Sequence, residues 1–240
     1  MENIVSMNRK WTNRIRFVMD ECIPPVVRDS KWFMYPFYYW AYRGRHIATM
    51  MDFKRKYFEW DAEQLQQFYA QIHSISSNRP TDVSANGIRT IIEHCADQVG
   101  SILDVGCGKG YLLSQVQQAY PAIKLQGADF VNRQLPGNIP FVQAEATRLP
   151  FADQTFDLVL CTHTIEHIYK ARDLVKELKR VARKKIIIIT PKQRYFYYTL
   201  DEHVLFFPQK ELLTSLIEME KYDCSNIEGD WVYIGYLPAK

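Results

Sequence analysis

The sequence lacks a long hydrophobic run and a strong net charge. These two absences argue against a membrane-spanning protein and give no support to nucleic-acid binding. No stretch approaches the roughly 20 apolar residues of a membrane-spanning helix, and residues 1–16 hold no apolar signal core. The formal net charge of +3 is too small to predict nucleic-acid binding by itself. The five cysteines are odd in number and lack metal-ligand spacing, so we expect a protein of the reducing cytoplasm.

The pattern of predicted secondary structure changes near residue 95, which predicts two segments, 1–95 and 96–240. The first segment shows no alternation of strand and helix, and it contains a run rich in aromatic residues, Trp32–Tyr42. Residues 1–60 carry an excess of positive charge, since they hold 11 Lys and Arg but 6 Asp and Glu. Asp61 is placed to cap a helix farther along this segment.

From Ser101 onward, short apolar strands alternate with amphipathic helices. This alternation predicts the α/β class, with a doubly wound, mostly parallel sheet and helices on both faces. Ligands of such sheets bind at the carboxyl ends of the strands. Strands are predicted within residues 101–106, 122–130, 139–146, 155–163 and 184–191, helices within 111–120, 171–183 and 209–222, and one or two closing strands within 227–240.

A glycine-rich loop follows the first predicted strand in the stretch "ILDVGCGKGYLL". Gly106, Gly108 and Gly110 occupy alternate positions there, and Asp104 precedes them. Glycine adopts positive φ and has no side chain, so a ligand can lie against the backbone. The spacing fits neither the phosphate-binding loop nor the dinucleotide-binding motif. Asp104 would repel a pyrophosphate and attract a ligand that carries an ammonium group.

This loop resembles the first motif of the class I, Rossmann-like S-adenosylmethionine-dependent methyltransferases. "LQGADF" resembles the second-strand motif of that family, in which the terminal acid, here Asp129, binds the ribose hydroxyls. Phe130 follows it. The block "FVQAEATRLPFADQTFDLVLCTHTIEHI" resembles the third and fourth strands, with Glu145 on the adenine amino group and the Ala146 backbone on a ring nitrogen. The family more often has Asp at the position of Glu145.

The resemblance covers about residues 96–220, and Glu166–Ile168 is typical of its small-molecule branch, which includes quinone-biosynthesis enzymes. It implies S-adenosylmethionine as cofactor and S-adenosylhomocysteine as product. From their position in the sequence, Tyr69 and Arg79 are further candidates for binding the methionine end of the cofactor. Arg79 also fits a solvated loop residue. The implied cofactor-binding residues are Asp104, Gly106, Cys107, Gly108, Gly110, Asp129, Phe130, Glu145, Ala146 and Thr162.

Three histidines are candidates for the catalytic base. His163 and His167 are four residues apart, so on a helical turn they share a face, with Glu166 expected to point elsewhere. His203 lies in the segment after the fifth strand. As alternatives, His163 lines the cofactor, His167 orients the loop and His203 is a surface residue. No metal is expected, because the first two histidines lack a convincing third ligand.

The aromatic run Trp32–Tyr42 has several interpretations. It is core between residues 1–95 and the sheet, the lining of an aromatic or sugar pocket, a membrane-surface contact beside Arg43 and Arg45, or a platform for single-stranded RNA. We expect residues 1–95 to act as a cap that shapes the acceptor site, as such segments often do in this family.

The first functional hypothesis is O- or C-methylation of a small molecule, such as a secondary metabolite, a quinone or lipid precursor, or a glycan sugar. Methyltransferases of amide or nucleobase nitrogen commonly carry [DN]-P-P-[YF] after the fourth strand, where this chain has "CTHT". Nucleic acid is therefore a disfavoured partner. The alternatives are a cofactor-binding protein or non-methylating enzyme of the same fold, and an RNA or protein methyltransferase. The sequence does not define an oligomeric state.

Overall fold

Seven strands form one sheet in the computed structural model, which describes residues 14–71, 79–96 and 98–238. The strand order is β3-β2-β1-β4-β5-β7-β6. The strands β1 to β5 pair in parallel, whereas β7 runs antiparallel to both β5 and β6. Their bounds are β1 Ser101–Val105, β2 Lys124–Asp129, β3 Phe141–Gln143, β4 Phe156–Thr162, β5 Ala182–Pro191, β6 Tyr222–Ile227 and β7 Asp230–Tyr236.

Helices cover both faces of this sheet, as the alternating pattern predicts. On β5, Ile186 and Ile188 enter one apolar cluster while Ile187 and Ile189 enter the other, because successive side chains of a strand point to opposite faces. The doubly wound fold class is thereby confirmed. The helices of this part of the chain are α6 Ala85–Cys95, α7 Tyr111–Ala119, α8 Ala171–Val181 and α9 Lys210–Ile217.

The chain divides into two compact units, and the boundary differs from the predicted one at residue 95. The first unit extends to Asp82 and also takes in Arg194–Val204, and the second comprises Val83–Gln193 and the chain from Leu205. Helix α6 belongs to the second unit because Ile91 and Cys95 are buried in the apolar cluster on one face of the sheet. The residue types in this helix do not by themselves reveal that it packs on the sheet.

The first unit is helical where it is described. Residues 14–17 are helical and continue into a π-helical turn, Val18–Cys22. The stretch 50–71, which has a helical pattern, is divided among separate helices, and Asp61 caps the last of them by accepting from the Gln64 amide at 2.8 Å. The helices are α1 Pro25–Arg28, α2 Lys31–Ala41, α3 Ile47–Met51, α4 Phe53–Glu59 and α5 Ala62–Gln71.

Helix α2 carries the aromatic run and packs one face into the core of the first unit. Met34, Tyr38 and Tyr42 recur every four residues and are buried together. The Tyr38 hydroxyl donates to the Thr199 carbonyl at 2.5 Å, which ties the segment 194–204 to this helix. One face of the aromatic run is thus core of the first unit and the opposite face is exposed, while the interpretation of the run as core between residues 1–95 and the sheet stays a prediction. Among the described helices, none is long and apolar enough to cross a bilayer.

We expect two neighbouring substitutions on α2 to differ sharply in their effect on stability. Met34 is 0% exposed and Tyr35 is 48% exposed. Met34→Ala should lower the free energy of unfolding by about 2–5 kcal/mol through a cavity, whereas Tyr35→Ala should change it by less than about 1 kcal/mol. Urea denaturation of both variants checks this, and equal losses would contradict the observed orientation of the helix.

Candidate cofactor and active site

The strand order reverses between β1 and β4, and the candidate site lies at the carboxyl ends of these two strands. In open α/β sheets a crevice forms at such a switch point, because the connections leave it in opposite directions. The glycine loop follows β1, and the turn that contains His163 and His167 follows β4. Thr164 joins the two segments, since its side chain lies against Gly106 and its hydroxyl is 3.4 Å from the Val105 carbonyl.

The glycine loop has the left-handed backbone that its composition predicts. Gly106, Gly108 and Gly110 have φ values of 75°, 53° and 73°. The amides of Gly106 and Cys107 both donate to the Ala128 carbonyl, at 2.8 and 3.1 Å. These bonds hold the loop against the end of β2, and Gly110 then begins helix α7.

The three glycines differ in what a side chain would meet. A Cβ atom on Gly106 would overlap the Thr164 side chain, and one on Gly110 would lie 3.0 Å from Leu135. A Cβ on Gly108 would meet nothing within 4 Å. Packing within the protein therefore explains two of the missing side chains, whereas Gly108 borders open space in which a ligand can lie against the backbone.

Asp104 is a buried acid at the end of β1. Its side-chain atom Oδ1 has no hydrogen-bond partner among the described residues. Burial, together with the nearby charge of Asp129, raises the pKa of Asp104 to about 7. A buried carboxylate of this kind is costly until a cation or a donor reaches it, which fits a ligand with an ammonium group.

Asp129 ends β2 and supports the loop while keeping capacity for a ligand. One carboxylate oxygen accepts from the Gly108 amide at 2.9 Å, and the other accepts from the Val131 amide at 2.9 Å. Each oxygen of an ionised carboxylate has a second lone-pair site, so both can still accept from hydroxyl groups. The arrangement is compatible with the predicted role on a ribose.

The other predicted cofactor residues of the second unit lie along the same edge. The Ala144 amide donates to the Asp129 carbonyl at 2.9 Å, which places Glu145 and Ala146 just after the end of β3. Phe130 directly follows β2, and Thr162 is the last residue of β4. Cys107 is buried, and burial followed by the charge of Asp104 raises the pKa of its thiol, so it is a packing residue and not a nucleophile.

His163 lies between two buried carboxylates. Its Nδ1 is 3.3 Å from Glu166 Oε1 and its Nε2 is 3.5 Å from Asp230 Oδ2. Burial by itself would lower the pKa of His163, but Asp230 and Glu166 outweigh that effect and raise it to about 10. The imidazole is therefore charged near neutral pH, which favours a positioning role over proton acceptance.

The turn after β4 differs from the predicted helical turn. It is a 3₁₀ turn, Ile165–His167, and His163 precedes it with a left-handed φ of 47°. The residue that meets His163 is Glu166, so the expectation that Glu166 points elsewhere is wrong. Glu166 Oε2 also accepts from the Thr190 hydroxyl at 3.0 Å, which links this turn to β5.

Three predicted site residues belong to the first unit. Arg79 donates to Asp82 at 3.0 Å, and His203 Nδ1 lies 3.4 Å from Asp201 Oδ2. Tyr69 is on α5, where its ring is 5.4 Å from that of Phe68. The assignment of Tyr69 and Arg79 to the cofactor and of His203 to catalysis stays a prediction, as does the role of His167 as base.

Sequence reasoning missed two residues of this edge, Thr164 and Asp230. Thr164 fills the space over Gly106, and a small residue with a hydroxyl gives little signal of that role. Asp230 begins β7 and pairs with Pro191 of β5, so the antiparallel strand brings it to the carboxyl ends of the parallel ones. The sequence signal that could have identified Asp230 is its position as a charged residue at the start of a predicted apolar strand.

A doubly wound sheet of this order, with a glycine loop after β1 and an acid that ends β2, defines the class I, Rossmann-like methyltransferase fold. Residues 103–190 match the sequence model of the family described as a methyltransferase domain. This part of the chain is similar to that domain.

Several known proteins are similar to this chain over part of their length. Norajmaline N-methyltransferase of Rauvolfia serpentina is 26% identical over 153 residues, which are 58% of this chain and 52% of that protein. Demethylmenaquinone methyltransferase of Roseiflexus sp. (strain RS-1) is 30% identical over 92 residues, 35% of this chain and 39% of that protein. The chain thus spans about half the length, or less, of these relatives.

Solved structures are also similar in fold, and one of them has a TM-score above 0.5 over most of this chain. A protein of Nostoc punctiforme, described as a candidate O-methyltransferase, superposes with a TM-score of 0.51 and 14% identity. The superposition covers 79% of this chain and 70% of that one. At this identity the likeness concerns the fold alone.

The ion pairs of His163 predict a pH-dependent stability. Because its folded pKa of about 10 exceeds the ordinary 6.5, the stabilisation is complete below pH 6.5 and is lost as pH rises to about 10. His163→Asn should lower the free energy of unfolding by about 3–5 kcal/mol at pH 7 by leaving two buried carboxylates without their cation. This difference from wild type should shrink between pH 7 and 10.

His46→Asn is the matched control, because His46 is exposed and has a similar left-handed φ of 54°. Asparagine tolerates this backbone conformation, so both variants keep the local geometry. Urea denaturation at each pH measures the two differences. A constant difference for His163→Asn across this range would contradict the ion-pair assignment.

Proposed function

We propose that this chain is an S-adenosylmethionine-dependent methyltransferase that acts on a small molecule. The observation that carries the proposal is the open space at Gly108 together with the buried Asp104 carboxylate, whose Oδ1 has no hydrogen-bond partner among the described residues. An open side-chain position at Gly108, together with a buried acid whose Oδ1 has no hydrogen-bond partner among the described residues, fits a cationic ligand that lies against the loop. The methyltransferase domain match over residues 103–190 supports the same ligand.

The residues of the second unit fit S-adenosylmethionine group by group. Asp104 offers a carboxylate to the ammonium group, Asp129 offers two oxygens to the ribose hydroxyls, and Glu145 offers an acceptor to the adenine amino group. Gly108 leaves room for the ligand to approach the backbone. When bound, this cofactor supplies an electrophilic methyl group on a sulfonium.

The contribution of the chain is to hold the acceptor in line and to receive its proton. Positioning alone supplies a large part of such an acceleration, so a base is a secondary requirement. His167 is the proposed base, since it lies in the turn that follows β4 and is only partly buried. His163 is proposed to hold this turn in place through Glu166 and Asp230, and His203 is the further candidate for proton transfer.

The proposed acceptor is a small molecule that is methylated on oxygen or carbon. The absence of the amide-type motif after β4 supports this choice over a nucleobase or protein amide. Transfer to nitrogen is the second candidate, because a relative matched over 58% of this chain is named an N-methyltransferase. We further propose that residues 1–95 help to select the acceptor, which their high aromatic content supports.

The proposed location is the reducing cytoplasm. All five cysteines lie among the described residues and are free thiols, and three of them, Cys95, Cys107 and Cys161, are buried. Unpaired buried thiols persist most readily where cellular reductants keep disulfides from forming.

The cofactor proposal predicts a selective loss of binding at Gly108. Wild type should bind S-adenosylhomocysteine with a Kd on the order of micromolar, and Gly108→Val should abolish binding by filling the open space. Gly44→Val is the control, since Gly44 has a similar positive φ of 75° but lies in the first unit. Calorimetry with all three proteins checks this, and equal affinity for Gly108→Val would refute the proposed site.

The activity proposal predicts transfer of a labelled methyl group to a small molecule. The protein should label a metabolite extract when it is given the methyl-labelled cofactor, and Gly108→Val should not. Label that survives RNase and protease treatment and passes a small-pore filter supports the proposal. Label lost with RNase or protease would instead assign an RNA or protein acceptor. Cofactor binding without transfer to any fraction would favour a cofactor-binding protein or a non-methylating enzyme.

A further inference from the structure

Helix α2 exposes a continuous aromatic face. Trp32, Tyr35, Tyr39 and Trp40 are 71%, 48%, 58% and 56% exposed. Their spacing of three, four and one residues places them on one side of an α-helix, opposite the buried Met34 and Tyr38. We call these four exposed residues the aromatic face.

The aromatic face is unusual for a surface helix, which normally turns charged residues to water. Pro36 lies on the same side, so between Trp32 and Trp40 this side holds only aromatic rings and a proline. On helix α1, which contacts α2, Val26 is likewise exposed, at 82%. A contiguous apolar surface of this kind marks a contact site more often than a free surface.

The chemistry of the face favours one occupant. Trp and Tyr have an apolar ring and a polar tip, so they are stable where hydrocarbon meets water, and both are enriched at membrane interfaces. A face made for a protein core would use aliphatic side chains as well. None of the four residues is aliphatic.

The charge around the aromatic face is positive. Lys31 begins the helix, and Arg43 and Arg45 follow its end, all exposed. The chain contains no Asp or Glu between Lys31 and Met51. Each basic residue near an anionic lipid surface adds to the electrostatic attraction. Two copies of the same basic face would repel each other instead.

We propose that the aromatic face of α2 and its flanking basic residues dock on the anionic headgroup surface of a lipid bilayer. The eleven residues of α2 extend about 16 Å, so the helix lies in the interfacial plane with its rings directed toward the acyl chains. This inference is independent of the methyltransferase proposal, because it concerns only residues of the first unit.

Co-sedimentation of the full chain with vesicles tests the inference. Wild type should bind vesicles of phosphatidylcholine mixed with phosphatidylglycerol, and should bind pure phosphatidylcholine vesicles at least about tenfold more weakly. The double variant Trp32→Ala and Trp40→Ala should lose about tenfold or more of the partition to anionic vesicles. Raising the salt concentration should weaken binding by wild type, because it screens the basic residues.

Two further variants separate the contribution of the aromatic rings from that of the basic residues and from that of exposed apolar residues in general. Leu212→Ala removes an exposed apolar residue, 51% exposed, from helix α9 of the second unit and should leave vesicle binding unchanged. The double variant Lys31→Glu and Arg45→Glu keeps the rings but reverses two charges, and it should lose selectivity for anionic vesicles. Circular dichroism checks that each variant keeps the helical content of wild type.

Three outcomes would overturn the inference. Absence of vesicle binding by wild type would do so, as would equal binding by the variant without the two tryptophans. A sedimentation velocity profile that changes from dimer to monomer in that variant, without vesicle binding, would assign the aromatic face to self-association. Vesicle-independent binding of a single-stranded RNA oligonucleotide that is lost with the two tryptophans would assign it to nucleic acid.

Discussion

The hydrogen bonds between the glycine loop and the end of β2 are the constraint on which the cofactor site depends. The Ala128 carbonyl accepts from two loop amides, and the Asp129 carboxylate accepts from a third, that of Gly108. The loop that makes these bonds has a positive φ at each of its three glycines, a conformation that glycine adopts without strain. Thr164, from the turn after β4, then closes over Gly106, so three strand ends define one edge.

This edge holds two groups of buried acids that differ in whether a cation of the protein lies beside them. Glu166 and Asp230 have a cation of the protein's own, His163, between them. Asp104 has no such cation among the described residues, and its burial raises its pKa to about 7. The first arrangement stabilises the fold when it forms, whereas the second leaves its electrostatic cost to be relieved by a ligand. This contrast is the physical basis for proposing Asp104, and not Glu166 or Asp230, as a ligand-binding group.

The sheet was predictable from sequence because its signals are local. The apolar run at Ile186–Ile189 and the alternate glycines each specify a local structure within a few residues. The contact between His163 and Asp230 was not predictable, since it depends on β7 entering the sheet beside β5. Helix α2 was hidden for a different reason: aromatic residues favour strands and Pro36 interrupts the helical pattern. The four-residue recurrence of Met34, Tyr38 and Tyr42 outweighs both, because tertiary packing of a buried face stabilises a helix more than local propensity does.

The first unit is discontinuous in the chain, and this sets an order on its synthesis. Arg28 and Tyr38 donate to the carbonyls of Tyr198 and Thr199, about two-thirds of the chain later. A ribosome has therefore produced all five parallel strands before the amino-terminal helices can complete their core. Until then the buried face of α2 lacks part of its cover, so the first residues to emerge are not the first to reach their final packing. Chaperone contact at this stage would fall on residues that are hidden in the finished protein.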